Sequence, residues 1–435
     1  MKVKRNLQDY EDGADFSGYA RVMRKRDFGR ISFWKVRFQE EDYQLFIQRG
    51  MIENFQEIKK LALGSIVFFE GKKMVTKTGE ASILINLIQV EHEGCDILQN
   101  KLGGINYLGK SDSRVLDLIA NKSFFDYSLL LSRLLGGIRR FLSENEFMEF
   151  TTGILQECFE GGQAVPFQTR CKTNGKTFYL SLTSELKLKR LMIAGFEKVY
   201  EISQSFRNEG IDKMHLPEFT LLELYAINQS YKDMINFLEK MVFEVLTEAT
   251  GENYVKNGAD LISFNPPFER ITFDEACTMF LKIEGKKCTI EWLEERFPGM
   301  FSRNMDEFTW TMKLVDKIFT PNFIKPTFLI DVPSGISPFA KRQSKNEKIS
   351  ESAFFIAMGI NIATISTDEN NVERVSMFLA EQSKKTGHVV NQDYLDVLEF
   401  GLPQTAGIGF GLNRFFMIFQ EGKKSARETC LFPLF

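Results

Sequence analysis

The stretch FRNEGIDKMHLPEFTLLELY, residues 206–225, decides the fold. An apolar run, EKVYEIS (197–203), leads into it, and the chain turns through Gly210 and returns on a second strand. Side chains alternate along a strand, so Phe219, Leu221, Glu223 and Tyr225 share one face. That face is unusual for a core, because an unpaired buried Glu is costly. Arg207 offers a fork of donors that suits a phosphate, and Phe219 offers a ring on which a base can stack. The plainer reading is a hairpin with a surface ion pair between Arg207 and Glu209. A second stretch, GLPQTAGIGFGLNR (401–414), reads as a glycine-rich strand entering a helix. Gly407, Gly409 and Gly411 fall on one face, where a ligand can approach the backbone. Arg414 opens the following helix, a favourable place for phosphate. The spacing matches neither a P-loop nor a dinucleotide fingerprint, and the plainer reading is a glycine strand packed on a helix.

Working outward, residues 16–92 carry five apolar or alternating runs separated by turn signals, with a helical stretch predicted over Ile52–Leu63 between the third and fourth. Five strands with a helix after the third is the pattern of an OB-fold barrel, a fold that often binds single-stranded nucleic acid. Residues 93–115 read as a linker. Beyond Leu116, helices and strands mix unevenly, which predicts an α+β domain with an antiparallel sheet flanked by helices. The expected division is 1–105 for the barrel with its linker and 106–435 for the larger domain, with a helical insertion at about 273–318. The chain has 435 residues, 55 basic against 58 acidic, and a net charge of −3, so any nucleic-acid contact must come from local patches. No run is long and apolar enough for a membrane span and the N-terminus has no signal core, so a cytoplasmic protein is expected. Six scattered cysteines without a CxxC pair argue against a disulfide scaffold or a zinc finger. The three histidines form no recognisable nucleophile triad. The 42 phenylalanines read as core filling and nucleotide composition.

Together the two stretches resemble motifs 2 and 3 of the class II aminoacyl-tRNA synthetases, and the wording is similar to that of the bacterial-type lysine–tRNA ligases. RLMIAGFEKVYEISQSFRNEGID (190–212), GLPQTAGIGFGLNRFFMIF (401–419), PTFLIDVPSGISPFAKR (326–342) and the closing LFPL carry the resemblance. So do RVLDLIANKSF, IRRFLSENEFMEF and GGQAVPFQT. Relatives specific for aspartate or asparagine lack the EL-x-L-KRL wording found here at Glu185–Leu191. The resemblance implies ATP and Mg²⁺ as cofactors, with lysine or a lysine-like amino acid and tRNA as partners. It implies that Arg207 binds the α-phosphate and the substrate carboxylate. Phe219 and Arg414 would sandwich adenine, with Arg414 reaching the γ-phosphate, while Glu209, His215, Gly409 and Gly411 complete the ATP site. Gly162, Glu185, Glu223 and Tyr225 would line the amino-acid pocket, where carboxylates and a phenol suit an ammonium group. In the barrel, Phe33, Gln44 and Glu80 would read the anticodon, and Arg21, Arg24, Lys25, Arg26 and Arg30 would contact phosphates. The family is homodimeric, and the helix at Ser128–Leu142 matches its dimer element.

The sequence departs from the family on the strand FFIAMGINIATISTDENNVERV. The two glutamates expected there to bind Mg²⁺ and ATP fall on Ile360 and Thr367, which cannot ligate Mg²⁺ as carboxylates do. Asp368 or Glu369 would serve as the metal carboxylate if the chain shifts. The acid expected before the motif 3 arginine is Asn413, and the Asn expected before the motif 2 proline is Leu216. Three functions follow from this pattern. The first is a lysine–tRNA ligase with unusual metal use. The second is a paralogue activating a lysine-like amino acid for another acceptor, and the third is a non-catalytic tRNA-binding protein.

Overall fold

Five strands close on themselves near the N-terminus, all paired antiparallel except the third with the fifth. Strands β1 (Asp15–Phe28), β2 (Ile31–Phe38), β3 (Glu41–Gln48), β4 (Ile66–Val75) and β5 (Ala81–His92) form a closed barrel in the order β1-β2-β3-β5-β4. Alternation sends Val22, Trp34, Val36, Leu45, Ile47, Val67, Phe69, Ile83 and Ile85 inward, where they are fully buried. Closure requires a sharp bend, which a register shift between Glu70 and Gly71 supplies. A Cβ at Gly71 would lie 2.4 Å from the Leu84 carbonyl oxygen, so only glycine permits that approach. The computed structural model describes residues 7–103, 114–157, 164–337, 339–386, 391–420, 422 and 424–433.

The helix predicted over Ile52–Leu63 is a single α turn, Phe55–Ile58, flanked by tighter turns. The buried residues Ile52, Phe55, Ile58 and Leu61 recur every third position, and Lys60 and Leu61 donate to carbonyls three residues back. That is the 3₁₀ period, which places side chains in line but does not extend into a long helix. The predicted linker, 93–115, contains a short helix, Asp96–Leu102, and a second, Arg114–Ala120, begins at its end.

By internal contact the chain divides into two units, Met1–Asp126 and Tyr127–Phe435. The second is built on an eight-stranded sheet. From one edge its strands are Glu269–Thr272, Thr327–Ile330, Ser352–Ala357, Ile360–Thr367, Thr405–Gly411, Glu218–Ile227, Lys198–Phe206 and Met148–Glu149. Six of these pair antiparallel, and the two edge pairings are parallel. The helix Tyr231–Thr250 starts on a Ser230–Asp233 capping box and buries Met234, Leu238, Met241, Val242 and Val245 in the core that covers one sheet face. Thr367, at a position where the family carries a glutamate, is committed to that start, since its Oγ1 accepts from the Tyr231 N–H at 2.9 Å. Ile360 is 2% exposed in the same core. The predicted insertion folds as short helices, Ile290–Arg296 and Glu307–Leu314 among them, around an apolar cluster shared with Leu329, Phe354 and Ile356 of the sheet. Among the described residues no helix is long and apolar enough to cross a membrane.

Candidate active site

The 206–225 hairpin pairs in full antiparallel register, and its return strand pairs in turn with the glycine strand: Leu221 with Gly411, Glu223 with Gly409, Tyr225 with Gly407. The three glycines do different work. A Cβ at Gly407 would lie 2.3 Å from the Tyr225 ring, so that glycine seats the tyrosine. Gly409 has open space above it, and with Gly411 it lines a cavity of about 320 Å³. That cavity gathers Arg207, Glu209, His215, Phe219 and Arg414 as the sequence predicts. It also contains Asn361, Met312 and Asp316, which the sequence reading did not single out. Met312 and Asp316 come from the insertion, whose helical pattern says nothing about where it docks.

Two guanidinium groups dominate this cavity. Arg207 lies 5.1 Å over the Phe219 ring, and its buried Nε has no hydrogen-bond partner among the described residues. The surface ion pair between Arg207 and Glu209 does not form. Arg414 donates from Nη1 to the Asn361 carbonyl at 3.0 Å and from Nη2 to His215 Nε2 at 3.1 Å. Burial pushes both groups down from their ordinary values, and the two arginines also repel one another. Guanidinium stays charged in proteins, so the cavity holds two like charges with neither in an ion pair among the described residues. That is a site built for an anion with several oxygens. Asn413 contributes where an acid cannot: its Oδ1 accepts from the Thr220 N–H at 2.6 Å while its Nδ2 donates to Thr429 Oγ1 at 2.7 Å. A carboxylate there would have no donor for Thr429.

Leu221 lines this cavity, and Glu223 lies on the same strand face about 7 Å further on, the spacing of alternate residues. Glu223 is buried, and Thr183 Oγ1, the Ser184 N–H and Ser184 Oγ (2.8 Å) all donate to its carboxylate. It therefore sits against the N-terminus of the helix Glu185–Ile193, where the positive end of the dipole favours it. Burial pushes its pKa up against those donors. Lys189, four residues along that helix, is 1% exposed and bridges Glu185 (2.7 Å) and Asp368 (2.8 Å). Its ammonium also lies 4.9 Å from the Phe339 ring and 5.5 Å from the Tyr225 ring. Lys189 stands inside the EL-x-L-KRL wording, but helical spacing alone did not mark it as a buried cation. Glu185, Glu223 and Tyr225 are thus brought together as expected. Gly162 lies outside the described residues.

The metal expectation fails on geometry. Neither Asp368 nor Glu369 reaches the cavity: Asp368 is tied to Lys189, and Glu369 faces Arg374 at 3.4 Å. The carboxylates lining the cavity are Glu209 and Asp316, and among the described residues no three ligand-type side chains gather as a metal site. The residues present do not fit a carboxylate-held Mg²⁺. Asp368→Asn and Glu369→Gln are accordingly expected to leave the Mg²⁺ dependence of nucleotide binding unchanged, as titration calorimetry at several Mg²⁺ concentrations will show.

On the barrel, Phe33, Gln44 and Glu80 line one cleft of about 440 Å³ together with Arg24, Arg26 and Lys35. The rest of the predicted basic run is divided by strand alternation and by a register shift between Val22 and Arg24. Arg21 is not at the cleft; its Nη1 donates to the Gly64 carbonyl at 2.8 Å. Lys25 turns to the opposite side and donates to the carbonyls of Lys59 and Leu61. Both are therefore structural, and Arg24 and Arg26 are the arginines the cleft presents.

Comparison with known proteins matches this architecture. The family model for tRNA synthetases class II (D, K and N) covers residues 109–435. A lysine–tRNA ligase of Dehalococcoides mccartyi (strain CBDB1) is 33% identical over 427 residues, spanning 95% of this chain and 86% of that protein. The lysine–tRNA ligases of Pectobacterium atrosepticum and Clostridium kluyveri are each 32% identical, covering 99% of this chain and 88% and 89% of their own lengths. With an anion cavity floored by a glycine strand, an acidic cluster one step behind it and this similarity along its length, the chain belongs to the class II tRNA synthetases, in the lysine–tRNA ligase family.

Proposed function

We propose that the protein activates lysine with ATP and transfers it to the 3′ end of a lysine-accepting tRNA. The observation that carries the reading is the pair of guanidinium groups, Arg207 and Arg414, left without ion-pair partners around one cavity. In the first step a lysine carboxylate oxygen bonds to the α-phosphorus, and the α–β bridging oxygen leaves with pyrophosphate. Arg207 holds the α-phosphate and the amino-acid carboxylate, which neutralises charge as the oxygens crowd together. Arg414 reaches the terminal phosphate and covers adenine from the side opposite Phe219. Glu209, His215, Gly409 and Gly411 complete the nucleotide site. Glu185, Glu223 and Tyr225 take the ammonium groups. In the second step a terminal ribose hydroxyl of tRNA attacks the lysyl carbonyl and AMP leaves. Catalysis is mostly positioning and charge neutralisation, with no covalent protein intermediate. ATP is the cofactor, and no step is assigned to a protein-bound Mg²⁺.

ATP–pyrophosphate exchange with a panel of amino acids tests the first step, and charging of unfractionated tRNA tests the second. Exchange driven by lysine followed by charging supports the reading. Exchange without charging points to another acceptor, and no exchange with any amino acid overturns the enzymatic reading. On the barrel, Phe33 stacks on a base while Gln44 and Glu80 address base edges. Phe33→Ala is expected to weaken tRNA binding by about tenfold or more, the loss of one stacked base. The same variant leaves ATP–pyrophosphate exchange unchanged, because the substitution lies in the barrel unit.

The reading also includes a homodimer. Leu155 (57%), Val165 (51%) and Phe432 (68%) are exposed apolar side chains that a second copy would cover. A solution mass of twice 50.2 kDa by light scattering checks it. The proposed activity places the protein in the cytoplasm, with tRNA.

A further inference from the structure

The turn of the 206–225 hairpin ends in a chain of contacts that fixes a proton. Asp212 Oδ1 accepts from the backbone N–H groups of Met214 (2.7 Å) and His215 (2.9 Å). Both Asp212 oxygens also lie within hydrogen-bond distance of His215 Nδ1, at 2.9 and 3.0 Å. The other ring nitrogen, Nε2, faces Arg414 Nη2 at 3.1 Å. A guanidinium has donors and no acceptor, so His215 Nε2 must present its lone pair. The imidazole proton therefore belongs on Nδ1, donated to Asp212. Had the proton sat on Nε2, two N–H groups would oppose each other and Arg414 would lose one of its two described anchors. Partial burial pushes the Asp212 carboxyl up, but the His215 ring and the two backbone N–H groups outweigh it and hold the acid below its ordinary value. A charged acceptor is thus maintained at the end of the chain.

We propose that Asp212 is a positioning residue for the nucleotide: it selects the Nδ1–H tautomer of His215, so that the bare Nε2 accepts from Arg414 and sets the guanidinium at the cavity wall. Asp212 itself does not line the cavity. The inference rests on the nucleotide-binding part of the function proposed above, and not on lysine as the amino acid.

The test is ¹⁵N NMR of the full-length protein labelled at histidine. The chain has only three histidines, His92, His215 and His388, so the His215 signals are assigned by their loss in His215→Ala. In the unsubstituted protein His215 is expected to show a protonated Nδ1 and an unprotonated Nε2. Asp212→Asn is expected to abolish that preference. Its Oδ1 still accepts the Met214 and His215 N–H groups, which keeps the turn. Asp212→Asn is also expected to weaken ATP binding by about tenfold, the value of one charge-assisted hydrogen bond, measured by calorimetry. Asp212→Glu, which keeps the charged acceptor, retains the tautomer and most of the affinity. In a His215→Ala background, Asp212→Asn has no further effect on ATP binding. A protonated Nε2 in the unsubstituted protein overturns the proposal. So does an Asp212→Asn protein with unchanged ATP affinity, or one whose affinity falls equally without His215. ATP binding with normal relay behaviour but no lysine-driven exchange overturns the lysine reading and leaves this inference standing.

Discussion

Replacing Arg207 by alanine is expected to lower kcat/KM for lysine-dependent ATP–pyrophosphate exchange by about 10³-fold, the loss found when a preorganised donor to transition-state charge is removed. The residue sits at the end of one hairpin strand, held there because its own N–H donates to the Pro217 carbonyl at 2.8 Å. Its guanidinium lies 5.1 Å over the Phe219 ring and in no ion pair with a carboxylate among the described residues. That arrangement leaves its donors for the ligand, and it makes Arg207→Lys a poor substitute. An ammonium carries the charge but neither the fork nor the flat face that stacks on Phe219. The same geometry predicts the stability effect. Removing Arg207 relieves the burial of a charge, an orphaned buried donor and repulsion from Arg414, against the loss of attraction to Glu209, so the thermal midpoint is expected to stay level or rise. Exchange kinetics and a thermal melt on one preparation check both halves. Retained exchange activity would contradict the assignment of Arg207.

Lys189→Met is expected to produce the largest loss of stability, about 3–5 kcal/mol, because it leaves buried carboxylates without their cation. Lys189 and Asp368 are both almost fully enclosed, and the second Asp368 oxygen, Oδ2, has no partner among the described residues. Burial alone would lower the Lys189 pKa, but Asp368 and Glu185 more than offset it and hold the ammonium charged. Its contribution is therefore complete below the ordinary lysine pKa and is lost as pH rises through the higher folded value. Burial pushes the Asp368 carboxyl up to about 6, against the pull of Lys189. A carboxyl raised in the folded state binds its proton more tightly there than when unfolded, so it favours folding more as pH falls toward the ordinary aspartate pKa. The deficit of Lys189→Met is thus expected to shrink on acidification, when Asp368 can protonate. Adding Asp368→Asn to Lys189→Met is expected to recover part of the lost stability, through removal of the stranded charge. Urea unfolding at two pH values measures all three effects. A deficit that grows on acidification would show that the buried charge is not the cause.

The family, the five barrel strands and the residues that meet at one cavity were legible in the sequence because each is carried by local pattern. Alternation places Phe219, Glu223 and Tyr225 on one face whatever the strand packs against, and Gly407, Gly409 and Gly411 share a face by the same arithmetic. Motif wording then identified Arg207 and Arg414, whose positions at a strand end and a helix start are set within a few residues of chain. The short helix after β3 was misread because three-residue spacing of apolar residues resembles a helical stripe until the backbone hydrogen bonds distinguish 3₁₀ from α.

What remained hidden depends on which segments meet across the sheet. Nothing local shows that Asp368 meets Lys189, a partner 179 positions earlier in the chain, and so the carboxylate assigned to a metal serves a buried ammonium instead. Asp316 reaches the cavity of Arg207 and Arg414 only because the insertion docks there; Lys25 is turned from the barrel cleft by a one-residue shift in register, and Arg21 is held by the Gly64 carbonyl. Local stereochemistry determines which way each side chain leaves its strand or helix. Only tertiary packing decides what stands opposite, and for a charged group that opposite partner determines its role.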